Sequence, residues 1–261
     1  MLKVVLLGAG RLATSLAPAL VGCGVQITQV FSRTLDSAAR LALALKQQTG
    51  YEPVAVDDIA DIADDADCYF YAISDDAIAS VAKAMAAKPQ VRNALHLHTS
   101  GSVPLQVISD LFPQAAVFYP FQTFSMEQIV DLSDVPFFIE ATTDDALQSA
   151  KSLAQRLSTK VFEAGSEQRR RLHLAGVFAN NFSNAMFAIA EQQMQKAGLP
   201  FSVLMPLIQQ TAGKVETMTP CQAQTGPAAR GDVNTIKEHL EMLSGQEKEI
   251  YKLITQYIMH N

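Results

Sequence analysis

The chain has 261 residues, 49% of them hydrophobic, enough for a real core and one or two domains. A net charge of −6 and a pI of about 5.3 make the surface as a whole repel nucleic acid and acidic membranes. Neither is expected as a partner, and an anionic ligand must be held by local positive charge. The three cysteines, Cys23, Cys68 and Cys221, are odd in number and show no metal spacing. That suits reduced thiols in a cytoplasmic compartment and no metal site.

The first element is an apolar run from Lys3 that ends in Gly8-Ala-Gly-Arg-Leu-Ala13. The spacing G-x-G-x-x-A predicts a buried strand, a tight turn and a helix whose N-terminal N–H groups point out of the turn. Gly8 permits the turn, Gly10 lets a pyrophosphate approach the backbone, and Ala13 keeps helix and strand close. Ala9, Arg11 and Leu12 complete this candidate dinucleotide cradle. Leu20-Val-Gly-Cys23 has the look of a lipoprotein cleavage box, but Gly8, Gly10 and Arg11 interrupt the apolar core, and cleavage would remove the first strand. No stretch reaches the roughly 18 uncharged apolar residues of a membrane span without polar interruption or a better explanation.

Arg11 to Val21 is expected as a helix kinked by Pro18, and Val25 to Phe31 as the second strand, followed by Ser32-Arg33-Thr34. Leu35 to Gln48 reads as a helix, Pro53 to Val56 as a strand, and Asp58 to Ala66 as a helix with Ile59, Ile62 and Ala63 inward. Six aspartates between Asp57 and Asp67 match no calcium loop and read as a solvated face. Strands follow at Cys68–Ile73, Ala94–His98, Ala115–Phe118, Phe137–Glu140 and Lys160–Ala164, with helices at Asp75–Ala87 and Asp144–Leu157 between them. Such alternation predicts an α/β fold, a Rossmann-type parallel sheet with right-handed crossovers. Gly8–Arg11, Ser32–Thr34, Ser74–Asp76 and His98–Gly101 then all lie at carboxyl ends of strands, where ligands of such sheets bind. Ser74, Thr99, Ser100 and Gly101 are therefore candidate cofactor contacts.

At Gly165-Ser166 the pattern changes. Ser166 is a plausible N-cap, and a long helix is expected from there to Lys196, stopped by Gly198 and Pro200. Further helices are expected at Phe201–Met218 (broken near Pro206), Asp232–Leu243 and Gln246–Met259. The domains are thus 1–165, a dinucleotide-binding domain, and 166–261, an all-α substrate or dimerisation domain.

An NAD-type site ends its second strand on an acidic residue that holds the ribose 2′-hydroxyl. Here that place reads Phe31-Ser-Arg-Thr34, where Ser32 and Thr34 can donate to a phosphate and Arg33 supplies charge and a planar fork. NADP is the expected cofactor. From His173 to Ala190 the long helix has no Asp, Glu, Lys or Arg, which predicts burial all round. Phe178, Phe182 and Ile189 form one stripe; His173, Asn180 and Asn184 cluster opposite, with Asn181 at the edge. Two readings stand for this polar face: hydrogen bonding to a neighbouring helix or second subunit, or a substrate-facing wall with His173 as proton donor. In Thr225-Gly-Pro-Ala-Ala-Arg-Gly-Asp232, turns flank Arg230 and Asp232 can cap the next helix. Arg230 is either a carboxylate clamp or the partner of Asp232. His239 reads as packed or capping, and Arg169-Arg-Arg171 as surface or interface.

The chain resembles, over nearly its whole length, a Rossmann-like NADP-binding family whose all-helical C-terminal domain is of long-unassigned function, related to pyrroline-5-carboxylate reductase and ketopantoate reductase. The match is carried by Gly8–Ala13, His98-Thr-Ser-Gly101, Tyr119-Pro-Phe-Gln-Thr-Phe124, Leu172-His-Leu-Ala175, Asn181-Phe182, Thr225–Asp232 and His239-Leu240. Two departures are Pro18 in the first helix and Tyr119, where the family usually has His before Pro120, so no catalytic role carries over to position 119. The resemblance implies an NADPH-linked reductase, with a small 2-oxo acid of the ketopantoate type as leading substrate. His173 would supply or relay the proton, standing where related reductases place a lysine. Asn181 and Asn184 would orient the carbonyl, and Arg230 would hold the carboxylate. The alternatives are a cyclic imine reductase and a non-catalytic NADP-binding protein. A homodimer through the helical domain is expected.

Overall fold

In the computed structural model, which describes residues 1–260, the apolar run Lys3–Leu7 forms strand β1 and Arg11–Gly22 the helix α1 behind it. The chain continues through β2 (Gln26–Phe31), α2 (Leu35–Thr49), β3 (Val54–Val56), β4 (Cys68–Tyr71) and α3 (Asp75–Ala86). Then follow β5 (Leu95–His98), α4 (Gln106–Ser109), β6 (Ala115–Pro120), β7 (Phe137–Ala141), α5 (Asp144–Gln155) and β8 (Val161–Glu163). The eight strands form one sheet in the order β3-β2-β1-β4-β5-β6-β7-β8. Successive strand residues point to opposite faces, and helices cover both, as a parallel sheet requires. Val4, Leu6 and Phe70 meet α1, α2 and α5 through Leu16, Leu41 and Leu153. Val5, Leu7, Tyr69 and Tyr71 meet α3 and α4 through Ile78, Met85 and Ile108.

Two expectations are corrected here. β7 pairs with β6 antiparallel, so the sheet is not parallel throughout. The connection from Phe121 to Pro136 holds no helix; without a helical crossover the chain simply turns back along the neighbouring strand. Asp58–Ala66 is not an α-helix either: only Ile59–Asp61 is helical, as a 3-10 turn capped by Asp58. Its carbonyls are taken by side chains from elsewhere. Lys88 Nζ donates to Ile59, Ala60 and Ile62, Gln29 to Asp61, and the Tyr69 hydroxyl to Ala63. The six aspartates around it are exposed; Asp65 pairs with Lys3 Nζ at 2.9 Å, and Asp67 accepts from the Lys3 backbone N–H. α1 runs on through Pro18.

The chain divides into two compact units, Met1–Gly176 and from Val177 onward. The first includes α6 (Ser166–Gly176). Gly165, not Ser166, occupies its cap position, since Arg169 N–H donates to Gly165 O. The Ser166 hydroxyl reaches across to Glu140 instead. Six residues of π-helix, Val177–Phe182, lead into α7 (Ser183–Lys196), so the expected single α-helix changes register at its middle. The second unit continues with a 3-10 turn at Phe201–Leu204, α8 (Met205–Lys214), α9 (Pro220–Ala223), α10 (Pro227–Arg230), α11 (Val233–Met242) and α12 (Gly245–His260). Not one residue from Val177 to His260 is buried. No helix is long and apolar enough to cross a membrane among the described residues.

Candidate cofactor and active site

The turn after β1 is built as its glycines require. Gly8 has φ +123°, and a Cβ there would stand 2.1 Å from Ala72 O, so no other residue fits. Ala13 is completely buried where α1 lies against the sheet. Gly10 is the N-cap of α1; no side chain caps it, and a Cβ at Gly10 would meet nothing within 4 Å. α1 also has no acidic residue in its first turn, whereas α2, α3 and α5 carry Asp36, Asp75 with Asp76, and Asp144 with Asp145 there. The first N–H groups of α1 are therefore uncapped and uncompensated, which fits a pyrophosphate. Arg11 is exposed at the same place, with Ala9 and Leu12 half-buried.

One strand along, β2 ends at Phe31 and Ser32-Arg33-Thr34 follow. Ser32 N–H continues the ladder to Val56 O, and Thr34 hydrogen-bonds Ser37 at 2.9 Å. Arg33 is exposed and makes no hydrogen bond or ion pair among the described residues. Its guanidinium is free to meet a 2′-phosphate, and no carboxylate stands in the place an NAD-type site needs. On the other side of β1, Ser74 is the exposed N-cap of α3.

The loop after β5 is organised from within. Thr99 donates to Tyr71 O, and Ser100 Oγ accepts from the N–H groups of Ser102 and Val103. Thr99 and Ser100 thus shape the loop with their side chains. His98 is fully buried; its Nδ1 accepts from Ser100 N–H, which leaves Nε2 as the protonated nitrogen, and Nε2 has no partner. Burial, with the nearby Arg169 guanidinium second, pushes its pKa down to about 3.

Arg169 corrects the reading of Arg169-Arg-Arg171 as surface or interface. It is 0% exposed and donates to the carbonyls of Ser100, Gly101 and Val103, to Glu140 Oε2 at 2.7 Å and to Ser166 Oγ. One guanidinium thereby ties the β5 loop, β7 and α6 together. Arg170 and Arg171 do lie at the surface, both paired with Glu167. The same face of α6, at spacing i, i+4, i+7, presents His173 and Gly176. Tyr119 Oη stands 3.4 Å from His173 Nδ1, and the Tyr119 ring covers Gly101, where a Cβ would fall 2.4 Å from Cζ. The Phe121 ring covers Gly176 in the same way, at 2.7 Å. Tyr119-Pro-Phe121 is thus a motif of two rings seated on two glycines. Sequence reasoning passed over Arg169 and Tyr119; their signal was the shared helix face of Arg169, His173 and Gly176.

In the second unit Asn181, Asn184 and Arg230 are exposed. Arg230 forms no ion pair with Asp232, whose carboxylate caps α11 by accepting from Thr235 N–H and Oγ1. His239 Nδ1 meets the Tyr251 hydroxyl at 2.9 Å beside an apolar cavity of about 400 Å³ lined by Met186, Ile189, Ile250, Ile254 and Ile258. The expectation that the uncharged helix is buried all round is not met: Phe178 is 61% and Phe182 49% exposed, and Asn180, Asn181 and Asn184 lie open. The unit's own helices enclose no core and leave this surface open.

Residues 1–107 match the family model described as shikimate / quinate 5-dehydrogenase, and residues 135–258 match a domain of unknown function, DUF2520. No curated protein matches the chain. Among solved structures, a "putative NADP oxidoreductase" from Bacteroides fragilis is 41% identical, with a TM-score of 0.90 over 100% of this chain and 98% of that one. A protein from Thermotoga maritima is 22% identical (TM-score 0.71, 98% and 97% covered). A pyrroline carboxylate reductase from Plasmodium falciparum, solved with NADP bound, is 11% identical (TM-score 0.61, 99% and 98% covered) and shares the fold. The chain belongs to the family of the Bacteroides fragilis protein, Rossmann-type NADP oxidoreductases with a DUF2520 helical domain.

Proposed function

We propose that the protein is an NADPH-dependent oxidoreductase that reduces a small 2-oxo acid of the ketopantoate type. The observation that carries this reading is the bare, acid-free N-terminus of α1 beside an unpaired Arg33 at the end of β2. Together they suit the pyrophosphate and the 2′-phosphate of NADPH. When bound, NADPH supplies a hydride. The chain's own residues shape the cradle through Gly8 and Gly10, hold the β5 loop through Arg169, and bring an exchangeable proton to the same edge of the sheet through Tyr119 and His173. Asn181 and Asn184, as carbonyl-orienting amides, and Arg230, as carboxylate clamp, enter on sequence grounds. The free thiols suit a cytoplasmic protein.

The test is to follow NADPH oxidation with ketopantoate, other small 2-oxo acids and cyclic imines, with NADH in parallel. The reading expects 2-oxo acids to be reduced, and His173→Ala and Arg230→Ala to slow that reduction. Full activity in both variants would mean that the site is misassigned. Faster turnover of cyclic imines, indifferent to His173, would favour the imine reductase. NADPH binding with no turnover of any substrate would favour a non-catalytic binding protein.

We also propose that the protein works as a homodimer through the helical unit. What supports this is the absence of any buried residue from Val177 to His260, with Phe178, Phe182, Leu253 and Tyr257 exposed. Sedimentation of the purified protein should give twice the chain mass; a monomer at micromolar concentration would refute it.

A further inference from the structure

His173 is the proton source read from the sequence, but its side chain is exposed. The half-buried phenol beside it is better placed. Leu7, Tyr71, His98 and Val117 stand in register across β1, β4, β5 and β6, and Tyr119 lies two residues beyond that line at the same sheet edge. Its ring is wedged between the Gly101 backbone and the rings of Phe121 and Phe138, with centroids 6.1 and 6.5 Å away. A Cβ at residue 101 would come 2.7 Å from Oη, so glycine there is what lets the hydroxyl occupy its place. The groups that act on it are Asp75 of α3, Arg169 of α6 and, at 3.4 Å, His173.

We infer that Tyr119 is the proton donor to the substrate oxygen and that His173 restores its proton, an inference that rests on the reductase reading above. In the balanced step the carbonyl carbon gains the hydride of NADPH, the carbonyl π pair moves to oxygen, and that oxygen takes the phenol proton. NADP⁺ leaves, and the phenolate takes a proton relayed through the His173 ring, one ring nitrogen giving a proton while the other takes one from solvent. Burial, with Asp75 next, pushes the phenol up to about 12, so it stays protonated near neutrality. It remains a much stronger acid than the alcohol being formed, and the transfer runs downhill. An imidazole ring with solvent at its far nitrogen is a ready proton relay to a phenolate.

Tyr119→Phe removes one oxygen and keeps the ring on Gly101, so it is expected to fold. With a substrate that the wild type reduces, kcat should fall roughly 100-fold or more while NADPH affinity is unchanged. Tyr119→His should keep part of the activity, with kcat declining about tenfold per pH unit above roughly pH 7 as the imidazole loses its proton, while the wild type holds its plateau higher. Independently of turnover, the 15N resonance of His173 Nδ1 should move in Tyr119→Phe. Wild-type kcat in Tyr119→Phe, or an unmoved Nδ1 resonance, would overturn the inference and leave the reductase reading standing. Failure of the wild type to reduce any carbonyl or imine while binding NADPH would overturn both.

Discussion

The two units of this chain solve the problem of burial in opposite ways. In the first, two layers of helices close over a sheet until Leu6, Leu16, Phe70 and Phe118 lose all contact with solvent. In the second, eight helical segments bury no residue at all from Val177 to His260. A fold that satisfies itself can hold a fixed cofactor cradle. A helical array without a core leaves its apolar surface open to solvent.

Breaking the first unit should therefore be costly even in an isolated chain. Arg169→Met removes one partner of a buried ion pair and strands the carbonyls of Ser100, Gly101 and Val103. It should cost about 3–5 kcal/mol in urea unfolding. Phe118→Ala, at a fully buried position on the sheet, should cost a similar ~3–5 kcal/mol. A loss below about 1 kcal/mol in either would mean that this core is not closed.

The next effect comes from pH. His96 is stacked on Phe112 with centroids 3.4 Å apart, donates from Nε2 to Val91 O and accepts at Nδ1 from Tyr71. Burial pushes its pKa down to about 4, and that of His98 to about 3. In the unfolded chain both would protonate near 6.5. Between about pH 6.5 and 4 the unfolded state thus binds more protons, and stability falls as pH drops. Urea midpoints across that range should decline, and His98→Asn should flatten the decline; a slope unaltered by the substitution would contradict it.

The smallest effect marks the second unit. Phe178→Ala, at a side chain 61% exposed within the chain, should change the stability of a monomer by no more than about 0.5 kcal/mol. In a dimer that covers this surface it should instead weaken association, read as a concentration-dependent sedimentation coefficient. Sedimentation identical to wild type at every concentration would place the interface elsewhere.

What was legible in the chain divides along the same line. The turn at Gly8–Ala13 and the alternation of strands and helices depend on local backbone requirements, and the structure has them where the residues ask for them. The missing carboxylate at Ser32-Arg33-Thr34 was legible because one residue type at a strand end is read directly from the sequence. Asp58–Ala66 was not: its apolar spacing is helical, but Lys88, Gln29 and Tyr69 claim its carbonyls from a distance. Arg169 looked like one charge of three, and only the fold tells it from Arg170 and Arg171. The antiparallel β7 reflects a helix missing from its connection, a sign that could have been read between Phe121 and Pro136. Tyr119 drew no role because its meaning lies in Gly101 and His173, which pattern alone does not bring beside it. The uncharged helix was taken as buried because apolar sequence implies a cover, and the second unit's own helices do not supply one.

A preference for the extra phosphate of NADPH should rest on Arg33 at the end of β2. It is tested most directly by titrating the wild type and Arg33→Ala with NADPH and with NADH. The wild type should bind NADPH at least about tenfold more tightly than NADH, and Arg33→Ala should lose most of that preference while NADH binding barely changes. Tenfold tighter binding of NADH by the wild type would contradict it.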